Sequence, residues 1–200
     1  HQQGTAARVR RPLNEATYDY GGKTVQRIVF NEDHETFRKT IRDFIAKEVV
    51  PVHHEWEQQG HPPRDFYRKL GELGVLGIEV PEEYGGGGVH DFTYSLVVSE
   101  ETALAGVTFG SESVHTNLIL PYLMEYATDE QKQRWLPGFA SGDIMFAIAM
   151  TEPGTGSDLA NISTAAKLSE DGSHYILDGA KTFITGGALA DRILVVCRTA

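Results

Sequence analysis

Two rhythms of apolar residues divide this chain near residue 143. Upstream, apolar positions recur at helical spacing. Phe37, Ile41, Phe44, Ile45 and Val49 form one stripe and predict a helix. Asn31 is placed as its N-cap, Glu32, Asp33 and Glu35 lie at the positive end of its dipole, and Pro51 should end or kink it. Phe66, Leu70 and Leu73 predict a second, short helix that stops at Gly74. "VPEEYGGGG" (80–88) reads as a loop. A third helix fits 91–104 on Phe92, Leu96 and Leu104, and a fourth fits 115–127 with a kink at Pro121. Thr128 and Gln131 form a capping box ahead of a fifth, whose buried side carries Trp135 and Phe139.

After Gly142 and Asp143 the spacing becomes that of strands. "IMFAIAM" (144–150) is a continuous apolar run, as in a strand buried on both faces. "ISTAAKL" (162–168) alternates, and "SEDG" (169–172) is a turn. "HYILDGAKTFIT" (174–185) returns as strand, with a bend or bulge at Asp178-Gly179, and "RILVVCRT" (192–199) is another strand. Four strands without a closing partner leave open edges, so the sequence is expected to continue past Ala200. The expected fold class is α+β, with a flexible arm over 1–28, an all-α domain over 29–143 and the incomplete start of a β domain over 144–200.

Composition narrows the function classes. With 200 residues, 40% hydrophobic and 23% charged, the chain can build an ordinary globular core. A formal net charge of −10 argues against non-specific binding to nucleic acid or anionic membrane, while leaving room for a basic pocket. No apolar run approaches the ~20 residues that span a bilayer. The N-terminal stretch carries Arg8, Arg10 and Arg11 but lacks the apolar segment of a secretory signal. Cys197 is the single cysteine, which excludes an intrachain disulfide and a thiolate zinc cluster and fits a reducing compartment; its setting predicts packing in a strand. His53 and His54 are adjacent, do not share a helix face and read as solvated rather than as metal ligands. His115, at a helix start, either lines a ligand tunnel or packs; Glu100 and Glu101 read as solvated carboxylates.

Two stretches carry candidate chemistry. In "TEPGTGSD" (151–158), Gly154 and Gly156 permit positive φ and leave no Cβ between backbone and ligand, and bare N–H groups in such a turn form an anion-binding concavity. Ser157 and Thr151 add hydroxyl donors. No Gly-Lys-Ser/Thr follows and the third glycine of a dinucleotide fingerprint is missing, so neither common nucleotide loop applies. A cofactor cradle and a glycine turn whose Ser and Asp cap their own backbone both remain open. In "KTFITGG" (181–187), a strand would put Phe183 and Thr185 on one face, an aromatic beside a hydroxyl, which suits a flat heteroaromatic ligand; core packing is the alternative.

Taken in order, "VPEEYGGGG" (80–88), "TDEQKQRWLPGFASGDIMFAIAMTEPGTGSD" (128–158) and "YILDGAKTFITGG" (175–187) resemble the acyl-CoA dehydrogenase family, in its bacterial and long-chain-like branch. The resemblance covers about residues 30–200. It implies an N-terminal helical domain, a middle β-barrel-like domain and a C-terminal four-helix bundle, the last absent from this chain. It also implies non-covalent FAD, a homo-oligomer (tetramer or dimer), and oxidation of an acyl-CoA thioester to the trans-2-enoyl-CoA in fatty-acid or branched-chain catabolism. A carboxylate takes the α-proton, hydride goes to flavin N5, and electrons pass to an electron-transferring flavoprotein. The implied location is the cytoplasm, or the mitochondrial matrix in a eukaryote.

Residue by residue, the resemblance implies that Ile148, Ala149, Met150 and Thr151 run along the flavin, with backbone groups near Met150 and Thr151 and the Thr151 hydroxyl at the pyrimidine edge. Gly156 and Ser157 approach the pyrophosphate, and Ser157 also touches the acyl-CoA. Phe183, Ile184 and Thr185 lie against the isoalloxazine, with Thr185 near N5. Departures are Phe183 where many members carry Trp, Gly186 where Asn is common, and "EYAT" (125–128) for "FGT". The catalytic glutamate is implied beyond residue 200, so this polypeptide alone is expected to be inactive and to hold FAD poorly. Acyl-CoA oxidases, flavin monooxygenases and non-catalytic flavin-binding relatives share the loop and remain alternatives.

Overall fold

Asn31 starts α1 (Glu32–Phe44) as its pattern predicts: its side chain accepts the His34 N–H at 3.1 Å while His34 Nδ1 accepts the Asn31 N–H at 3.2 Å. The computed structural model that shows this describes residues 17–20, 23–26 and 28–199. Of the expected arm, 1–16 lies outside the described residues; β1 (Thr17–Tyr20) and β2 (Lys23–Gln26) pair antiparallel. Past Phe44, α1 widens into a π-helical turn, Ile45–Val49, that ends ahead of Pro51. A helix that apolar spacing does not announce follows, α2 (His53–Gln59). It separates the adjacent histidines. His53 is buried and its Nε2 accepts the Thr108 N–H at 3.0 Å, so it is not solvated as expected, whereas His54 stays at the surface beside Gln58.

α3 (Arg64–Glu72) runs to Leu73 and Gly74, as the pattern predicts. "VPEEYGGGG" is a loop around a single 3₁₀ turn, Glu82–Tyr84, and Gly86 is obligatory there: a Cβ would sit 2.0 Å from the Val80 carbonyl oxygen. α4 spans Thr93–Ala105. The predicted fourth helix divides into a π-helical turn, Val114–Ile119, and α5 (Leu120–Tyr126), so Pro121 marks a join in the first turn of α5 rather than a mid-helix kink. α6 (Asp129–Ser141) opens on the Thr128–Gln131 capping box and closes on Gly142 in the left-handed region. No described helix is long and apolar enough to cross a membrane.

The helical half buries two apolar clusters. One gathers Ile41, Phe66, Tyr67, Leu70, Leu76 and Val98 between α1, α3 and α4. The other gathers Val80, Ile119, Leu123, Leu136 and Phe139 against Phe146 and Ile148 of the first buried strand. An ion-pair network crosses from α1 to α4. Buried Arg38 donates through Nη1 to Glu100 at 2.8 Å and Glu101 at 3.2 Å, and Arg42 Nε donates to Glu101 at 2.8 Å. Glu101 is therefore buried and paired, not solvated, because its helix face meets two arginines rather than water.

The β half forms two small sheets. β3 (Phe146–Ala149), buried throughout, pairs parallel with β6 (Arg192–Val195). β4 (Ala165–Leu168) is central in the other, antiparallel to β5 (Tyr175–Asp178) and parallel to β7 (Arg198–Thr199). "RILVVCRT" is thus two strands in two sheets, with Cys197 half-buried at the crossing rather than inside a strand. The strand expected over 174–185 ends at Asp178. Gly179 takes φ 150° against Thr164, and Phe183 takes φ 56°, which a strand cannot accommodate. An all-α segment followed by the start of a β domain makes the fold α+β.

The halves are joined by polar ties. Arg64 donates to the carbonyls of Gly142 and Asp143 at 2.6 and 2.7 Å and pairs with Asp191, whose carboxylate accepts the Met145 N–H at 2.7 Å. Fully buried His115 joins three elements: its ring stacks on Phe139, Nε2 lies 3.2 Å from the Phe139 carbonyl, and Nδ1 accepts the Phe146 N–H at 3.2 Å.

Candidate cofactor-binding site

β3 carries the chain to the loop on a rigid base. Ile148 and Ala149 are buried and pair with Leu194 and Val195, which fixes the strand that leads into the loop. The strand ends at Ala149, and Thr151 meets the second motif there: its carbonyl accepts the Thr182 N–H at 2.9 Å. Glu152 and Thr155 exchange two backbone hydrogen bonds, 2.9 and 3.1 Å, which close the turn around Pro153 and Gly154.

Glu152 folds inward beneath that turn. One carboxylate oxygen accepts the N–H and hydroxyl of Ser163, both at 2.7 Å; the other accepts the Thr164 N–H at 2.9 Å and lies 2.9 Å from Lys181 Nζ. Donors from Thr164, Ser163 and Lys181 hold this carboxyl far below the usual carboxylate range. Lys181 Nζ also donates to the Met150 carbonyl at 2.8 Å. The two motifs quoted from the sequence are thus clasped by an ion pair and by the Thr151–Thr182 backbone bond. The sequence reading missed this role for Glu152 and Lys181. Its only signal was one charge of each sign inside the two motifs.

Neither Gly154 nor Gly156 takes positive φ, so the conformational reason proposed for them fails. Nor does the chain crowd them: a Cβ on either meets nothing within 4 Å. Among the described residues their bare backbone borders open space. Neither Ser157 nor Asp158 caps its own backbone: the Asp158 carboxylate accepts from the Asn161 side-chain amide, and the exposed Ser157 hydroxyl makes no hydrogen bond among the described residues. The hydroxyls of Thr151 and Thr185 likewise have no partner there.

Phe183 completes the surface. Its ring is 90% exposed and its backbone is left-handed, a conformation that costs a non-glycine residue about 1–2 kcal/mol. The core-packing alternative for this residue is overturned. An exposed aromatic on a strained backbone makes this segment a candidate binding surface, since such strain clusters at functional sites. Gly186, at φ 71°, lets the segment lie on Ser111 of the helical half, where a Cβ would come within 2.8 Å. Met150 and Ile184 are half-buried, and Gly156, Ser157 and Thr185 are exposed. The structure brings 150–152 against 181–182. Gly156 and Ser157 stand on the outer limb of the loop, without a hydrogen bond to 183–185 among the described residues. An apolar aromatic face, free hydroxyls and bare loop backbone fit a flat heteroaromatic ligand that carries phosphate. No three metal-ligating side chains gather among the described residues.

Two buried titratable groups lie in the segment that supports the site. His115 packs, and burial pushes its pKa down to about 4 against a smaller opposing effect of the Phe139 carbonyl. Glu112 was not singled out from the sequence. Burial pushes it up to about 7, offset in part by the Thr116 hydroxyl 3.1 Å away.

Known proteins resemble this chain in sequence and fold. The family description "Acyl-CoA dehydrogenase, N-terminal domain" matches residues 31–143, and "Acyl-CoA dehydrogenase, middle domain" matches 147–200. The long-chain specific mitochondrial acyl-CoA dehydrogenase of Rattus norvegicus is 41% identical over 196 residues, 98% of this chain and 44% of that protein. The chain therefore spans less than half the length of this relative. A crystal structure of an acyl-CoA dehydrogenase from Geobacillus kaustophilus superposes with a TM-score of 0.79 at 47% identity, covering 84% of this chain and 44% of that one. An acyl-CoA dehydrogenase from Bacillus anthracis, complexed with FAD, gives 0.73 at 35% identity over 85% of this chain and 30% of that one. With both halves matched in order and the clasped motifs falling in the second, the chain belongs to the acyl-CoA dehydrogenase family.

Proposed function

We propose that this chain supplies the flavin-holding part of an FAD-dependent acyl-CoA dehydrogenase that oxidises an acyl-CoA thioester to the trans-2-enoyl-CoA. The observation that carries the reading is the meeting of "TEPGTGSD" and "KTFIT": the Thr151–Thr182 bond brings a bare-backbone loop to a strained, exposed Phe183. The FAD complex of the Bacillus anthracis relative supports the choice of cofactor.

Bound FAD supplies the hydride-accepting chemistry. The residues of this chain bind and orient. The Met150 and Thr151 backbone and the Thr151 hydroxyl hold the pyrimidine edge, where donors stabilise developing negative charge. Gly156 and Ser157 hold the pyrophosphate, and Ser157 also meets the acyl-CoA. Phe183, Ile184 and Thr185 cover the ring, and Ile148 and Ala149 brace it from β3. The α-proton is taken by a glutamate outside residues 1–200; electrons go on to an electron-transferring flavoprotein, and the protein works as a homo-oligomer in the cytoplasm or, in a eukaryote, the mitochondrial matrix.

Acyl-CoA added anaerobically to the intact protein tests this. Bleaching of a flavin absorbance, with enoyl-CoA formed and electrons delivered to a flavoprotein acceptor, is expected. Oxygen consumption without an acceptor identifies an oxidase instead, and a colourless protein overturns the reading.

A further inference from the structure

The Met150 carbonyl and the Thr151 N–H belong to one peptide group. Its carbonyl end is occupied by the Lys181 ammonium at 2.8 Å. At its other end, the Thr151 hydroxyl has no partner among the described residues and the N–H leaves β3 without continuing the ladder. A cation bonded to a peptide oxygen polarises the group and strengthens its N–H as a donor, an effect that grows where water is excluded. The Lys181 side chain is only 10% exposed and that of Glu152 3%.

We propose that Lys181 is a positioning and tuning residue: held by Glu152 against the Met150 carbonyl, it polarises the Met150–Thr151 peptide so that the Thr151 N–H binds the reduced flavin more tightly than the oxidised one. The proposal rests on the flavin reading above. Glu152 has two duties in it. Oxygen Oε1 holds the ammonium, and both oxygens are fixed by Ser163 and Thr164, so the cation is anchored to the chain just ahead of β4. The Thr151–Thr182 bond fixes the register: Lys181 precedes Thr182 by one residue, as the Met150 carbonyl that it bonds precedes that of Thr151. A structural clip would stabilise the loop equally for both redox states. A polarised donor discriminates between them, because reduction places negative charge at the edge it faces.

The test uses the intact protein and its Lys181→Met and Lys181→Gln variants, with FAD affinity measured in both redox states and the flavin potential measured independently. Lys181→Met removes charge and donor; Lys181→Gln keeps a donor, so the clasp survives in it if the first variant folds poorly. Loss of a charge-assisted bond predicts roughly tenfold or more weaker binding of reduced FAD, a smaller loss for oxidised FAD, and a lower potential. Lys181→Arg, which keeps the charge, is expected to restore the ratio of the two affinities. Equal losses in both states reduce the pair to a clip and overturn the proposal, as does an unchanged potential in Lys181→Gln. If the wild-type protein takes up no FAD, the functional reading falls and this proposal falls with it; uptake by the wild type with unaltered ratios in the variants overturns this proposal alone.

Discussion

His115 lies flat on Phe139, ring centroids 3.5 Å apart and planes 15° apart, with each ring nitrogen committed to a backbone group of a different element. Nδ1 accepts the Phe146 N–H, so in the neutral ring the proton sits on Nε2 and is donated to the Phe139 carbonyl. Protonation at Nδ1 would break the tie to β3.

This tie makes the fold sensitive to acid. The unfolded chain binds a proton at His115 below about 6.5, whereas the folded chain resists until about 4, so stability falls as pH drops through that window. Glu112 acts in the opposite sense. It keeps its proton up to about 7 in the fold but releases it near 4.5 when unfolded, so its contribution falls as pH rises. Each effect is at most about 3 kcal/mol. The two slopes oppose between pH 4.5 and 6.5. Urea unfolding of Glu112→Gln should therefore show stability rising with pH more steeply than in the wild type; an unchanged slope would show that Glu112 does not titrate as stated.

Glycine substitutions should separate folding from binding. Gly156→Ala meets no neighbour within 4 Å and no positive φ, so the thermal midpoint of the apoprotein is expected to stay the same while FAD affinity drops. Gly86→Ala drives a Cβ into the Val80 carbonyl and should cost more than about 3 kcal/mol, or prevent folding. Calorimetry with and without FAD distinguishes the two.

Phe183 should behave as a residue kept for its ligand. Replacing it by glycine relieves the left-handed backbone and forfeits almost no burial, so the apoprotein should gain up to about 1 kcal/mol. The same change should weaken FAD binding. A destabilised apoprotein would mean that the ring supports the fold.

Arg38 should be costly to remove and Arg42 less so. Both bond Glu101, but Arg38 is buried and also holds Glu35 and Glu100, whereas Arg42 is about one-third exposed. Arg38→Ala is expected to cost about 3–5 kcal/mol and Arg42→Ala under half of that, with the double variant departing from the sum because both act on one carboxylate. Chemical denaturation of the three variants checks this.

Local chemistry was legible in the sequence and long-range chemistry was not. Asn31, Thr128 and Gln131 declared their helix starts because a cap is decided by residues within one turn. The apolar run of β3 declared its burial for a similar reason. The π-helical turns at 45–49 and 114–119 left no mark on apolar spacing, and α2 is too short to show a stripe. The fate of His53 was set by Thr108, 55 residues away, and that of Glu101 by Arg38 and Arg42. The candidate site was legible only in its local parts. The motifs named the loop and the aromatic, but read "KTFIT" as strand and passed over Lys181, whose meaning depends on a carbonyl 31 residues earlier.

Among the described residues β3 has one strand partner, β6, which comes later in the chain. Phe146 pairs with Arg192, and the tie between Met145 and Asp191 at the same edge spans 46 residues. A ribosome adding roughly 5–20 residues per second needs about 2–9 s to cover that gap. During that interval both halves of the loop emerge while the strand beneath them has only the helical layer to rest on, His115 and Phe139 foremost. The contacts that β3 makes with the helical layer thus close shorter stretches of chain than its strand pairing does: 31 residues from His115 and 7 from Phe139, against 46 to Arg192.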